Sequence, residues 1–204
     1  MNIEEEFYVE IIILWDELTN ILAEPISLDS KNNYLIRKST DLAISLNHFT
    51  EKKNIRNLLK QSYNQVTDMI NDVCDMKKHG ELRNKKRENK LESISIFEVN
   101  ENEQFSFHRN SILVNHTSFG QHDLIEVMQK YIFNIITELK LNILWEPVIN
   151  TAEADFKTTA TLYKENSFNA NQNSVRLLFI KLNERKEFIP FEPKNINFHI
   201  LERK

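Results

Sequence analysis

The sequence predicts an α+β protein, with a helical bundle over residues 1–90 and a strand-rich half over 91–204 that carries one further long helix. Two observations carry this reading. Apolar residues recur at steps of three and four through the first ninety positions, the period of an amphipathic helix, and then at steps of two, the period of a half-buried strand. Between the two patterns lies a charged stretch, Glu81-Leu82-Arg83-Asn84-Lys85-Lys86-Arg87-Glu88-Asn89-Lys90-Leu91, which reads as an exposed connector.

The elements follow in order. Segment 3–23 is apolar on most sides (Phe7, Ile11, Ile12, Leu14, Trp15, Leu18, Leu22), as a helix near the centre of a bundle is, and Pro25 ends it. Asp29 or Ser30 caps a second helix that runs to about Lys52, with Leu35, Leu42, Leu46 and Phe49 inward. Asn54 caps a third, whose stripe is Leu59, Tyr63, Val66, Ile70 and Val73, and Gly80 stops it. Segments 92–99 and 104–115, joined by the turn Asn100-Glu101-Asn102-Glu103, read as a hairpin with Phe105 and Phe107 on one face. A fourth helix covers about 122–141, with Leu124, Val127, Met128, Tyr131, Ile135 and Leu139 inward and Asp123 or a neighbour as its cap. Beyond Pro147, strands are expected at 156–163, 174–182 and 195–201. The middle one is apolar on both faces apart from Arg176 and Lys181, which places it centrally in a sheet. The Asn-rich stretch 164–173 reads as a long loop.

Composition excludes several classes. A chain of 204 residues suffices for one domain or two small ones, and 41% apolar with 27% charged residues is the balance of a packed protein. The net charge of −4 does not suggest a nucleic-acid binder as a whole, so such a site must come from a local patch. There are two glycines, Gly80 and Gly120, too few for a dinucleotide loop, and no Lys-Ser/Thr pair follows either to make a phosphate-binding loop. Cys74 is the only cysteine, which allows no internal disulfide or thiolate cluster and fits a reducing compartment. The start, Met1-Asn2-Ile3-Glu4-Glu5-Glu6, is not that of a secretory signal, and the longest apolar run, Ile11 to Trp15, is too short to span a bilayer. A cytoplasmic protein with no membrane contact and no cofactor is expected. Asn at roughly one residue in eight fits the coding bias of an AT-rich, bacterial genome.

The candidate chemistry concentrates on the third helix. Asp68, Asp72, Asp75 and His79 follow at steps of four, three and four, one stripe opposite the apolar one. Carboxylates beside an imidazole can move protons, and His79 with Asp75 and Asp72 is the catalytic candidate; a solvated helix face is the plainer reading. Lys78, Arg83, Lys85, Lys86 and Arg87 form the only dense basic patch and are the candidate RNA-binding residues. Complementing a helix C-terminus explains such cations equally, and no aromatic residue is interleaved to stack a base. His116, His122 and Asp123 surround Gly120, where a metal site competes with simple helix capping; no metal is expected. Cys74 abuts the apolar stripe and reads as packing.

Asp75-Met76-Lys77-Lys78-His79, an Asp-x-x-Lys-His at a helix end, resembles a signature of uncharacterised bacterial helical proteins grouped with the HEPN superfamily. The helix before it, with Leu42-Ala43-Ile44-Ser45-Leu46-Asn47-His48, is similar to that bundle, and the resemblance covers about residues 30–85. It implies a HEPN-like bundle and a bacterial defence or stress setting. Its functional alternatives are a non-catalytic binding or assembly component, with a protein partner or self-association, and a metal-independent ribonuclease using His79. The ribonuclease signature is Arg, four to six residues, then His on a helix; before His79 those positions hold Asp72, Val73 and Cys74, which favours the non-catalytic alternative. Arg109, six residues, then His116 matches the spacing, but in a segment expected to be strand.

Overall fold

The computed structural model describes residues 2–25, 31–80, 87–164 and 176–202. Asp29 and Ser30, connector residues 81–86 and the expected loop beyond Lys164 lie outside the described residues. The protein is α+β. Helix α1 (Ile3–Phe7) runs through a π-helical turn (Tyr8–Ile12) into α2 (Ile13–Leu22), and α3 (Lys31–Lys52), α4 (Arg56–Ser62) and α5 (Asn64–His79) follow. Strands β1 (Asn89–Val99), β2 (Phe105–His116) and β3 (Gly120–Asp123) lead into α6 (Leu124–Leu139), and β4 (Ala160–Lys164), β5 (Arg176–Leu182), β6 (Phe188–Pro190) and β7 (Phe198–Glu202) complete the order.

A five-stranded sheet has the order β3-β2-β1-β5-β6, and β4 pairs with β7 in a second sheet of two. β5 sits inside the larger sheet, pairing parallel with β1 (Ile96 opposite Leu178) and antiparallel with β6 (Lys181 opposite Ile189). Of its apolar residues only Phe179 is buried, and Leu178 and Leu182 on the other face are exposed, so the two-sided apolar pattern does not correspond to two covered faces. The chain forms two compact units, each discontinuous in sequence: Met1–Thr19, Ile36–Glu92 and Ile112–Ile149 make one, and Asn20–Leu35, Ser93–Ser111 and Asn150–Lys204 the other.

In the helical unit Phe7, Trp15, Leu46, Phe49, Leu59 and Ile70 are buried, and Phe7 meets Phe49 edge-on at 5.4 Å. Trp15 donates its indole N–H to the Val148 carbonyl at 2.9 Å, satisfying the one polar atom of a fully buried side chain. Two details depart from the sequence pattern. The third helix is broken at Tyr63 (φ −139°, ψ 51°), where Ser62, Tyr63 and Asn64 are weak helix formers. Asn54 does not cap that helix; it adopts a left-handed conformation (φ 58°) that closes α3. The expected stops hold elsewhere: Gly80 ends α5 at φ 76°, and Asp123 caps α6 by accepting the Ile125 N–H at 2.8 Å. In the strand unit the core is aromatic, with Phe97, Phe105 and Phe179 packed around Val99, Ala160 and Leu162.

Candidate functional site

Helix α5 carries the candidate residues, and they do not share one environment. Its buried set includes Thr67, Met69, Ile70, Val73 and Cys74, but also Asn71 and Asp72. The expected solvated stripe is therefore interrupted: Asp72 is 1% exposed, while Asp75 is half-buried and His79 fully at the surface. Asp68 turns instead to Lys60, at 2.8 Å. No hydrogen bond or ion pair joins Asp75 to His79 among the described residues, so the proposed pair is not formed.

Asp72 meets partners that lie outside its own helix. Arg87 donates to both carboxylate oxygens, with Nε at 3.0 Å from Oδ2, in the forked geometry that suits a guanidinium. His116, at the end of β2, approaches the same Oδ2 through Nε2 at 3.1 Å. The other ring nitrogen, Nδ1, accepts the backbone N–H groups of Ser118 at 3.0 Å and Phe119 at 3.2 Å. A nitrogen that accepts carries no proton, so the network assigns the proton to Nε2, from which it is donated to Asp72. The Phe119 ring stacks on the imidazole at 4.5 Å. Every polar atom of the His116 ring is thus occupied, and its side chain is fully buried. A general base needs a lone pair open to substrate, and this imidazole presents none.

The cluster fastens three places together. It joins α5 to the start of β1, where the Glu88 carbonyl accepts the Thr117 N–H at 3.0 Å, and to the β2–β3 turn, which Gly120 closes at φ 80°. The remaining candidates that are described do not join this cluster. Lys78 is exposed in the last turn of α5, beside Lys77 and His79, and Arg83, Lys85 and Lys86 lie outside the described residues. Arg87, nominated for RNA, is the forked partner of Asp72. Arg109 and His116 sit on a strand, where seven residues span about 23 Å, and cannot form a helix-face pair. His122 contacts the Phe119 carbonyl at 2.8 Å and Asp123 caps α6, so neither joins His116. Among the described residues no group of three His, Cys, Asp or Glu side chains could hold a metal ion. Burial pushes the Cys74 thiol up to about 12, which keeps it protonated and unreactive. Sequence reasoning named both Asp72 and His116 but did not join them; they are 44 residues apart, and no local pattern signals the contact.

A second feature lies on the strand unit. The alternation of Ile196, Phe198 and Ile200 reads in the sequence as an inward face, but Phe198, Ile200 and Leu201 of β7 are all exposed (41%, 57% and 47%), as are Phe188 and Ile189 of β6. Both are edge strands among the described strands. β6 carries Pro190, which removes a backbone donor and blocks further pairing; β7 carries no such guard between Phe198 and Leu201.

No protein-family model, no curated protein and no solved structure matches this chain. No helix among the described residues is long and apolar enough to cross a membrane.

Proposed function

We propose that this chain is a non-catalytic binding or assembly component whose partner is a second copy of itself. The supporting observation is the β7 edge, where three large apolar side chains are exposed on a strand whose one neighbour among the described strands is β4. A two-stranded sheet is marginal alone, and a further strand raises its stability. Across a two-fold axis the same strand faces its own copy, and like charges directly opposite one another repel. Glu202 is the one permanently charged residue of β7, and an antiparallel register centred on Ile200 sets it opposite Phe198 rather than its own copy, so self-pairing meets no such penalty. The resemblance to bacterial HEPN-like proteins supplies the setting, defence or stress, and its ribonuclease alternative is weakened by the occupied state of Asp72 and His116. Light scattering on the purified protein tests the reading. A dimer is expected, and Ile200→Lys, at an exposed site, converts it to a folded monomer. An unmodified protein that stays monomeric over the full concentration range, or a dimer indifferent to Ile200→Lys, overturns it.

A further inference from the structure

The strand unit contains a cavity of about 150 Å³, walled by Phe97, Phe105, Phe107 and Tyr163. We propose that it binds a cationic head group, an alkylammonium or a guanidinium. This inference rests on the cavity and not on the β7 edge. The volume is that of a site for a group about the size of a benzene ring. Phe97 and Phe105 are buried and form its floor, Phe97 meeting Phe107 edge to face at 82° with centroids 5.7 Å apart, and the half-buried Phe107 and Tyr163 are the rings that reach the surface. Aromatic faces attract cations through the negative side of their quadrupole.

The charges around the cavity set the sign of the ligand. Glu153, Asp155 and Lys157 line it. Lys157 Nζ lies 2.7 Å from Asp155 Oδ2, which makes these two a neutral pair. The Glu153 carboxylate, exposed at the cavity mouth, has no hydrogen-bond or ion-pair partner among the described residues, and neither has the half-buried Thr161 hydroxyl, so one negative charge and one hydroxyl that can accept or donate remain at the cavity. Asp155 is further fixed by its backbone N–H, which donates to Ser106 Oγ at 2.8 Å. An anion, the phosphate of a nucleotide included, meets net repulsion. A neutral apolar ligand displaces water from a carboxylate and returns no hydrogen bond. A compact cation satisfies both the rings and Glu153.

The shared chemistry has two sources, a free amine or a lysine or arginine side chain of a protein. Titration of the full chain with tetramethylammonium, guanidinium, a capped arginine peptide, acetate and adenosine monophosphate, followed by aromatic NMR shifts, separates them. Saturable shifts at Phe107 and Tyr163 are expected for the cations and for neither anion. A peptide that binds more tightly than guanidinium places the source on a protein; equal binding places it with free amines. Glu153→Gln weakens the binding about three- to five-fold. Phe107→Leu, which keeps an apolar wall but removes the quadrupole, weakens tetramethylammonium by a similar factor. Both variants are checked for an unchanged circular dichroism spectrum. Shifts that never saturate, tighter binding of either anion, or cation binding indifferent to both substitutions overturns the proposal.

Discussion

Two polar clusters in this protein differ in what their donors and acceptors reach. In the helical unit Asp72, Arg87 and His116 close upon one another, and both carboxylate oxygens of Asp72 and both ring nitrogens of His116 have a partner within the chain. In the strand unit the cavity beside Phe107 is lined by Glu153 and Thr161, which have none among the described residues. The first arrangement has the residue types of an acid–base site and the geometry of a fastener. The second has no imidazole in its lining and retains, at Glu153 and Thr161, capacity for a ligand. A titratable group near other titratable groups is therefore weak evidence of chemistry until its remaining valences are counted.

The largest expected effect tests the fastener. Asp72→Ala removes the acceptor for His116 Nε2–H and for the Arg87 fork. Breaking a buried pair costs about 3–5 kcal/mol, and Arg87, 42% exposed, can return to water, which points to the low end, about 3 kcal/mol. Asp75→Ala, three residues on and half-buried, changes stability by no more than about 0.5 kcal/mol. Urea unfolding of the two variants side by side measures the contrast. Equal losses would erase the distinction between Asp72 and the rest of the stripe.

That distinction marks the limit of what the sequence discloses. Local signals were legible: the helical period of 64–79, the Gly80 stop, the Asp123 cap, the hairpin around Asn100, and the central place of β5. Each depends on residues a few positions apart. Asp72 repeats at the same steps as Asp68 and Asp75, so nothing local separates it from a solvated face. Its burial comes from Arg87 and His116, which reach it from a connector and a strand end. The break at Tyr63 is equally hidden, because Leu59, Tyr63, Val66 and Ile70 keep a helical step across it. The short β6 and the guard at Pro190 escape notice since three residues give no period to read. The cavity left only the alternation of Phe105 and Phe107 as a trace; Glu153 and Thr161 reach it through non-local folding.

A smaller effect sharpens the comparison inside the strand unit. Burial, reinforced by the neighbouring Arg109 charge, pushes the His108 imidazole down to about 4. Across the sheet Glu98 lies 4.0 Å away, its own carboxyl pushed up by burial, and Phe188 of β6 meets the ring edge-on at 4.9 Å. The unfolded chain takes up its histidine proton near 6.5, before the folded one does. Acid then favours the unfolded state: the stability conferred by neutral His108 is intact above 6.5 and falls progressively toward 4. Between pH 7 and pH 5 the loss is about 2 kcal/mol. His108→Gln removes that part of the pH dependence, measured as the change in urea midpoint between the two conditions. An identical midpoint shift in both proteins would show that His108 is not held neutral.

The smallest effect falls on His79 and separates the two functional readings. It stands exposed in the last turn of α5 with Lys77 and Lys78, ahead of the Gly80 cap. There a cationic side chain complements the partial negative charge of the helix end, a contribution of about 0.3–1 kcal/mol. Two lysines share that role, so His79→Ala costs about 0.5 kcal/mol or less by urea unfolding. A general acid or base behaves differently: its removal lowers a rate about 100-fold or more with little effect on stability. RNA cleavage without added metal, assayed for the unmodified protein and for His79→Ala, supplies the second measurement. Absence of cleavage by either protein is the outcome expected of a binding component. Cleavage by the unmodified chain that His79→Ala abolishes, at an unchanged unfolding midpoint, would replace assembly by ribonuclease chemistry as its function.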